Sequence, residues 1–367
     1  MKKKVLLCVQ GTCQYMAALV AVLYNQKIDG KERDLYACFY DLSIDDTVAI
    51  DIYSQMDEIN KSFNLIKTYF FSNEMIHSLS LKLRNKSKNM VKEIIGVYDF
   101  DEIYLANLGN YSNRLFANAY INASHIQYGD SFGIIGNEDY KHKTNDMVYR
   151  LKEVVKNVLF DFNKKSASFS KHILILPVSL NGAKNKVKQL IIPEVDFVRS
   201  VIKRFDISDY NIAEYGTYCL LLTSNLAQSG YISELQEKQF YKNIIDTIPK
   251  DINIVVKLHP RVDKKSYLDI LGNSNVILFE SENDRLPVES MYSLITNASF
   301  IVPVFSSAKQ NLKYFFNSEI KYDLCDNDIR MLFNKEYVKR ALEAIKVSTE
   351  ICEKLGNWAH DDFIVQY

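Results

Sequence analysis

Two short groups of residues in this sequence have the types and spacing that chemistry on an anion requires. His259-Pro260-Arg261 follows the apolar run Ile252 to Lys257, and Ser306-Ser307 follows the apolar run Phe300 to Phe305. A histidine supplies a titratable donor near neutral pH. Two hydroxyls just ahead of the helical pattern Lys309 to Phe316 add their donors to the free N–H groups and positive dipole end of that helix, which suits a phosphate or carboxylate. Between the two groups lie Glu280, after a third run Val276 to Phe279, and Glu289, in the segment Leu286-Pro287-Val288-Glu289-Ser290-Met291 that opens another short helix. Each feature also has a plainer reading. His-Pro commonly ends a strand in a turn, and Ser-Ser before a helix is an ordinary N-cap. The order and spacing of the features keep the chemical reading open.

The elements that must position these residues repeat one pattern, strand then polar tip then helix. That pattern sets the tips side by side along one edge of a parallel sheet, where α/β proteins place their ligands. Tyr218 to Leu222 reads as the strand that opens this half, and its tip carries Thr223, Ser224 and Asn225 before a helix over Ser233 to Ile248. The tip, Thr223 to Gly230, is small and polar enough to cradle phosphate or ribose with backbone N–H groups. It lacks the Gly-x-x-x-x-Gly-Lys pattern of a P-loop, which argues against kinase or NTPase chemistry.

The first half opens the same way. Val5 to Val9 reads as a buried parallel strand, Gln10 to Gln14 as its tip and Tyr15 to Asn25 as the returning helix. No Gly-x-Gly-x-x-Gly follows that strand, so a dinucleotide site is not indicated. Gly11, Thr12 and Gln14 either face an interdomain cleft or simply form the turn. Further strands are expected at Asp34 to Tyr40, Ile103 to Leu105 and Ser124 to Tyr128, the last presenting Asp130 in Gly129-Asp130-Ser131-Phe132-Gly133. A carboxylate there serves as a base or caps the turn. Helical patterns cover Asn60 to Leu83, Asn113 to Ala119, Lys143 to Phe160 and a final stretch ending at Leu355. Asp99-Phe100-Asp101 has the look of a metal-binding Asp-x-Asp but precedes a strand, so it reads as a turn. The basic run from Lys82 to Lys88 reads as a solvated face, with a dock for anionic lipid or a lipid-linked acceptor as the alternative.

Composition bounds the rest. A chain of 367 residues is comfortable for two α/β domains. With 45 basic and 45 acidic residues the net charge is zero, so no global field favours nucleic acid. The apolar run Val5 to Val9 is too short for a signal peptide core, and no window approaches the 18 apolar residues of a membrane span. Six cysteines without Cys-x-x-Cys or Cys/His spacing read as buried thiols of a reducing cytoplasm, and no metal ligand set is visible.

Lys257-Leu258-His259-Pro260, an acidic residue after the next strand, and a strand ending in Ser306-Ser307 together resemble the C-terminal half of the bacterial sialyltransferases and capsule polysialyltransferases. The resemblance implies a GT-B fold, two Rossmann-like domains facing each other across a cleft, with boundaries near 1–205 and 206–345 and a tail, 346–367, returning to the first domain. It implies transfer of a nonulosonic acid from its CMP-activated donor to an oligosaccharide or lipid-linked glycan acceptor, without a metal or other cofactor. It further implies His259, Ser306 and Ser307 on the donor phosphate and Asp130 as general base. Pro260, Arg261, Glu280, Glu289 and the Thr223–Asn225 tip are the remaining donor-side candidates. The expected place is the cytoplasm, with peripheral contact at the inner membrane. A transferase for another nucleotide sugar such as CMP-Kdo, or a non-catalytic GT-B scaffold, is the alternative; at Asp130 the family's acidic pair is reduced to one residue.

Overall fold

The computed structural model describes residues 2–40, 46–80, 82, 84–108, 111–129, 168–175, 190–206, 210–260, 262, 267, 275–281, 284–306, 308–322 and 324–355. These fall into two compact units that divide between Val201 and Ile202.

In the first unit the strands are β1 (Lys3–Gln10), β2 (Arg33–Tyr40), β3 (Lys67–Phe70), β4 (Glu102–Leu105), β5 (Ser124–Gly129), β6 (Lys171–Leu174) and β7 (Leu190–Ile191). They form one parallel sheet in the order β3-β2-β1-β4-β5-β6-β7. The helices are α1 (Thr12–Asp29), α2 (Asp46–Ser54), α3 (Asp57–Ser62), α4 (Asn73–Ser80), α5 (Arg84–Ile95), α6 (Tyr111–Ala119) and α7 (Val195–Lys203), the last running across the division between the units. The central strand β1 has Val5 to Val9 without solvent exposure, the continuous apolar run of a strand covered on both faces. Helix α1 is apolar around its whole circumference, and Tyr15 to Val22 are buried, which makes it a core helix rather than a surface one.

The second unit has strands β8 (Tyr218–Leu222), β9 (Asn253–Lys257), β10 (Val276–Leu278) and β11 (Ile301–Pro303), parallel in the order β10-β9-β8-β11. Its helices are α8 (Glu234–Thr247), α9 (Tyr292–Thr296), α10 (Ala308–Phe316), α11 (Asp326–Leu332) and α12 (Lys335–Leu355), with 3₁₀ turns at Ile212–Tyr215 and Val288–Ser290. Ser233 opens α8 with a capping box, its hydroxyl and the Gln236 side chain satisfying each other's backbone N–H. Helix α12 packs on α10 and α11. Among the described residues no helix is long and apolar enough to cross a membrane.

In both sheets the strand order reverses beside the first strand, at β1/β4 and at β8/β11. Such a switch point opens a crevice at the carboxyl ends of the strands.

The structure departs from the sequence reading over Asn60 to Leu83. The helix ends after Ser62, Asn64 takes a left-handed φ of 53°, and Lys67–Phe70 becomes the edge strand β3 paired with β2. Thr68, Tyr69 and Phe70 are β-branched or aromatic, and pairing on β2 outweighs the helical spacing of the surrounding apolar residues. Past α10, Ile320 makes an isolated parallel bridge to Ile301. The expected helix Lys143 to Phe160 lies outside the described residues.

Candidate functional site

The site is built on the second sheet, where β9 and β10 on one side and β11 on the other deliver their tips around β8. At the end of β9, His259 and Pro260 line an open pocket of about 190 Å³ with Lys257, Leu258, Phe279 and Arg285. Two cationic side chains shape this pocket. Lys257, buried to 4% exposure, donates from Nζ to the Asp284 carbonyl at 2.9 Å, and Arg285 Nη1 donates to the Pro260 carbonyl at 3.2 Å. The segment after β10 is thereby tied to the tip of β9 from both directions. His259 closes a tight turn through its own carbonyl, which accepts from Val262 N–H at 2.9 Å.

At the end of β11 the chain turns sharply. Phe305 holds a left-handed φ of 47°, a conformation that costs a non-glycine residue about 1–3 kcal/mol. Its ring is fixed edge-on against Tyr231 and Phe333, contacts that oppose that strain. The turn delivers Ser306 to the start of α10, where its Oγ accepts from Ala308 N–H at 3.2 Å. This is a serine turn that leads into the helix, and the dipole of α10 leaves a partial positive charge at the same place.

The tip of β8 differs from what its composition suggests. A loop of small polar residues could offer its N–H groups to a phosphate, but here helix α8 takes them. Ser224 N–H donates to the Tyr241 hydroxyl at 2.7 Å, and Leu226 and Ala227 N–H donate to the two carboxylate oxygens of Glu237, each at 3.1 Å. Glu237 is buried, and burial pushes its carboxyl above the ordinary range against the hydrogen bonds that lower it. An internal carboxylate therefore stands where a phosphate would sit in a phosphate-binding loop. Asn225 is half-buried, and its carbonyl accepts from Ser229 N–H at 2.9 Å.

Of the other residues singled out from sequence, Glu289 is 1% exposed and accepts from Asn311 Nδ2 at 2.8 Å, joining the 3₁₀ turn Val288–Ser290 to α10. Glu280 stands exposed past the end of β10. Arg261, Ser307 and Asp130 lie outside the described residues. In the first unit, Gly11 precedes α1 with φ 73° and ψ 173°, backbone that only glycine adopts without strain. Thr12 begins that helix. Gln14 Oε1 accepts from Gln10 N–H at 3.2 Å and lies 3.3 Å from the Tyr128 hydroxyl, which donates to the Cys8 carbonyl at 2.7 Å. Gln14 thus holds the β1 turn closed.

Sequence reasoning did not single out Glu237, Tyr241, Asp284 or Arg285. The first two carry a legible signal, since Glu237 and Tyr241 are four apart on α8 and so share one helix face toward the β8 tip. Asp284 and Arg285 follow a three-residue strand in a stretch without periodicity.

No protein-family model matches the chain, and no curated protein matches it in sequence. Solved structures do match in fold. A Listeria monocytogenes protein assigned as a UDP-N-acetylglucosamine 2-epimerase aligns over 98% of this chain and 92% of its own, with a TM-score of 0.54 at 13% identity. S. aureus MnaA with UDP aligns over 96% and 90%, at 0.53 and 12%. The Neisseria meningitidis UDP-GlcNAc 2-epimerase bound to UDP-GlcNAc aligns over 96% and 94%, at 0.52 and 13%. The chain is therefore an α/β protein of the GT-B type. The same neighbours overturn the sialyltransferase resemblance, and with it the CMP-activated donor, nonulosonic acid transfer to a glycan, and the CMP-Kdo and scaffold alternatives. The correction has a physical reason. A histidine at one strand tip and a serine just ahead of a helix at another mark a place for a phosphate, and neither reads the nucleobase or the sugar attached to it.

Proposed function

We propose that this chain is a UDP-sugar enzyme of the UDP-GlcNAc 2-epimerase kind, and that its second unit holds the UDP moiety. The observation that carries this is the arrangement at the β8/β11 switch point. His259 at the tip of β9 and Ser306 in the turn that opens α10 lie on either side of β8, whose own loop N–H groups are already occupied by Glu237 and Tyr241. A diphosphate is thus directed to the start of α10 and to His259. The solved neighbours that hold UDP or UDP-GlcNAc support UDP as the nucleotide.

Inversion at C2 of such a sugar, which has no adjacent carbonyl, can proceed by loss of the C2 proton to a base as the C1–O bond to UDP breaks and a C1=C2 double bond forms. Return of a proton to the opposite face of C2 and re-addition of the UDP oxygen at C1 then restore the ester. Negative charge grows on the departing diphosphate as the C1–O bond breaks. In this chain the Ser306 hydroxyl, the N–H groups opening α10 and a donor from His259 would stabilise that charge. Incubation with UDP-GlcNAc, followed by proton NMR of the nucleotide sugar, is expected to show the C2 epimer appearing with the UDP ester retained at equilibrium. An unchanged UDP-GlcNAc spectrum together with no UDP binding by calorimetry would refute the reading.

A further inference from the structure

The ladder of β8 continues beyond the point where its backbone leaves the sheet, and it does so through side chains on both edges. On the β9 side the parallel register pairs Leu222 with Lys257, and Thr223 N–H donates to the Lys257 carbonyl at 3.1 Å. The next rung of a parallel ladder would run from His259 N–H to the Thr223 carbonyl. Instead the Thr223 hydroxyl oxygen accepts it, at 2.9 Å.

On the β11 side the register pairs Leu222 with Pro303, and Val304 N–H donates to the Leu222 carbonyl at 3.2 Å. The next rung would run from Ser224 N–H to the Val304 carbonyl. That N–H has turned away to Tyr241, and the Ser224 hydroxyl makes the rung, donating to the Val304 carbonyl at 2.6 Å with the Phe305 carbonyl at 3.2 Å. Thr223 and Ser224 are 5% and 6% exposed, so both substituted rungs are shielded from water.

We infer that Thr223 and Ser224 are a positioning pair that fixes His259 and Ser306 on opposite sides of the β8 tip and so sets the span across which the phosphate is held. The assignment of that phosphate rests on the UDP-sugar reading; the mechanical role of the pair does not. Backbone rungs would keep the three tips in one closed sheet. Hydroxyl rungs let the β8 backbone turn off toward α8 while its neighbours stay in register. The crevice opens without leaving the tips beside it loose.

The test has two arms on the full chain. Amide hydrogen exchange at His259 is expected to quicken tenfold or more in Thr223→Val, which keeps the side-chain shape and removes the acceptor, and to return most of the way in Thr223→Ser. Exchange at His259 that is equal in native and Thr223→Val protein overturns the inference. If Thr223→Val does not fold, the same comparison is made between Thr223→Ser and Thr223→Ala, and equal exchange in those two overturns it. In the second arm, UDP affinity is measured by calorimetry for Thr223→Val, His259→Ala and the double variant. About a tenfold loss is expected for Thr223→Val in the native background and almost none in the His259→Ala background. Additive losses overturn the claim that Thr223 acts through His259. If the native chain binds no UDP, the functional reading fails, and the positioning role stands or falls on the exchange arm.

Discussion

The hydroxyl of Thr223, the first residue past β8, accepts from the backbone N–H of His259, two residues past β9, at 2.9 Å, so the place of a candidate donor is set by a side chain at the neighbouring strand's tip. His259 is therefore mounted on the sheet rather than on a free loop. Preorganisation of this kind is what makes a donor effective toward a developing charge, because no reorganisation is needed when the charge forms.

If His259 is such a donor, His259→Ala should lower turnover of UDP-GlcNAc by about a hundredfold or more, as loss of a leaving-group or oxyanion donor does. The strand itself should persist, since β9 is held by its ladder to β8 and β10 and not by the imidazole. Steady-state kinetics with circular dichroism checks both halves of this expectation. Near-native turnover would remove His259 from the site.

Ser306 carries two roles that substitution can separate. Ser306→Ala removes the acceptor for Ala308 N–H and should cost about 1 kcal/mol of stability, the usual net value of one hydrogen bond. Ser306→Asp keeps an acceptor oxygen for Ala308 N–H but puts a negative charge where the phosphate is proposed to sit. Its thermal midpoint should match the native protein's while UDP affinity drops at least tenfold. An aspartate variant that binds UDP normally would show that the nucleotide phosphate lies elsewhere.

The second unit was largely legible in the sequence, and for a simple reason. Its strands are short continuous apolar runs bounded by polar tips, so β8 appears at the bounds read for it, and β9, β10, β11 and α8 within a few residues. The tips were legible as positions and not as partners. Nothing in the spacing of Thr223 and Ser224 says that their hydroxyls replace backbone rungs, because that depends on where Tyr241 lies across the sheet. The tip Thr223 to Gly230 reads as able to cradle phosphate or ribose because composition shows donors without showing that Tyr241 and Glu237 already take those of Ser224, Leu226 and Ala227. Strand β3 was hidden for a different reason. An edge strand with few buried residues carries little period-two signal, and only its pairing with β2 reveals it.

Glu237 offers a third expectation. Replacing it with alanine leaves the N–H groups of Leu226 and Ala227 without their acceptors, at a cost of about 1–3 kcal/mol for each group that stays buried. The vacated position is a pair of N–H donors at a strand tip, suited to an anion. Sulfate or inorganic phosphate should therefore raise the thermal midpoint of Glu237→Ala more than that of the native chain. Equal salt responses would argue against the carboxylate acting as an internal stand-in for phosphate.

His172 on β6 is 7% exposed, and its Nδ1 lies 2.6 Å from Gln127 Oε1, so the neutral ring donates there. Burial pushes its pKa down to about 4. A depressed histidine stabilises the fold above its unfolded value of about 6.5, and that contribution is lost as pH falls through about 4. Nitrogen-15 NMR should find His172 neutral at pH 5.5. A protonated ring at that pH would contradict the burial argument.

The last expectation concerns the opposite end of the first sheet, where strands begin. Arg33, whose side chain has no exposure, forks onto Glu102 with Nε at 2.9 Å and Nη2 at 3.1 Å, and onto Asp29 with Nη1 at 2.9 Å and Nη2 at 2.8 Å. Lys3 adds a further ion pair to each carboxylate. Burial alone would raise the Glu102 carboxyl, but the bonds from Arg33 and Lys3 outweigh it and hold it below its usual value. A depressed carboxyl contributes stability above its unfolded pKa of about 4.3, and that contribution is lost as pH falls through the folded value. Glu102→Gln should therefore flatten the acid limb of the stability curve of the first unit. At neutral pH it should cost about 3 kcal/mol, the lower end for breaking a buried pair, because Arg33 retains Asp29. Urea titrations at a series of pH values between about 2 and 7 measure both effects. An acid limb as steep as the native one would mean that the Arg33–Glu102 pair contributes nothing to the pH dependence of folding.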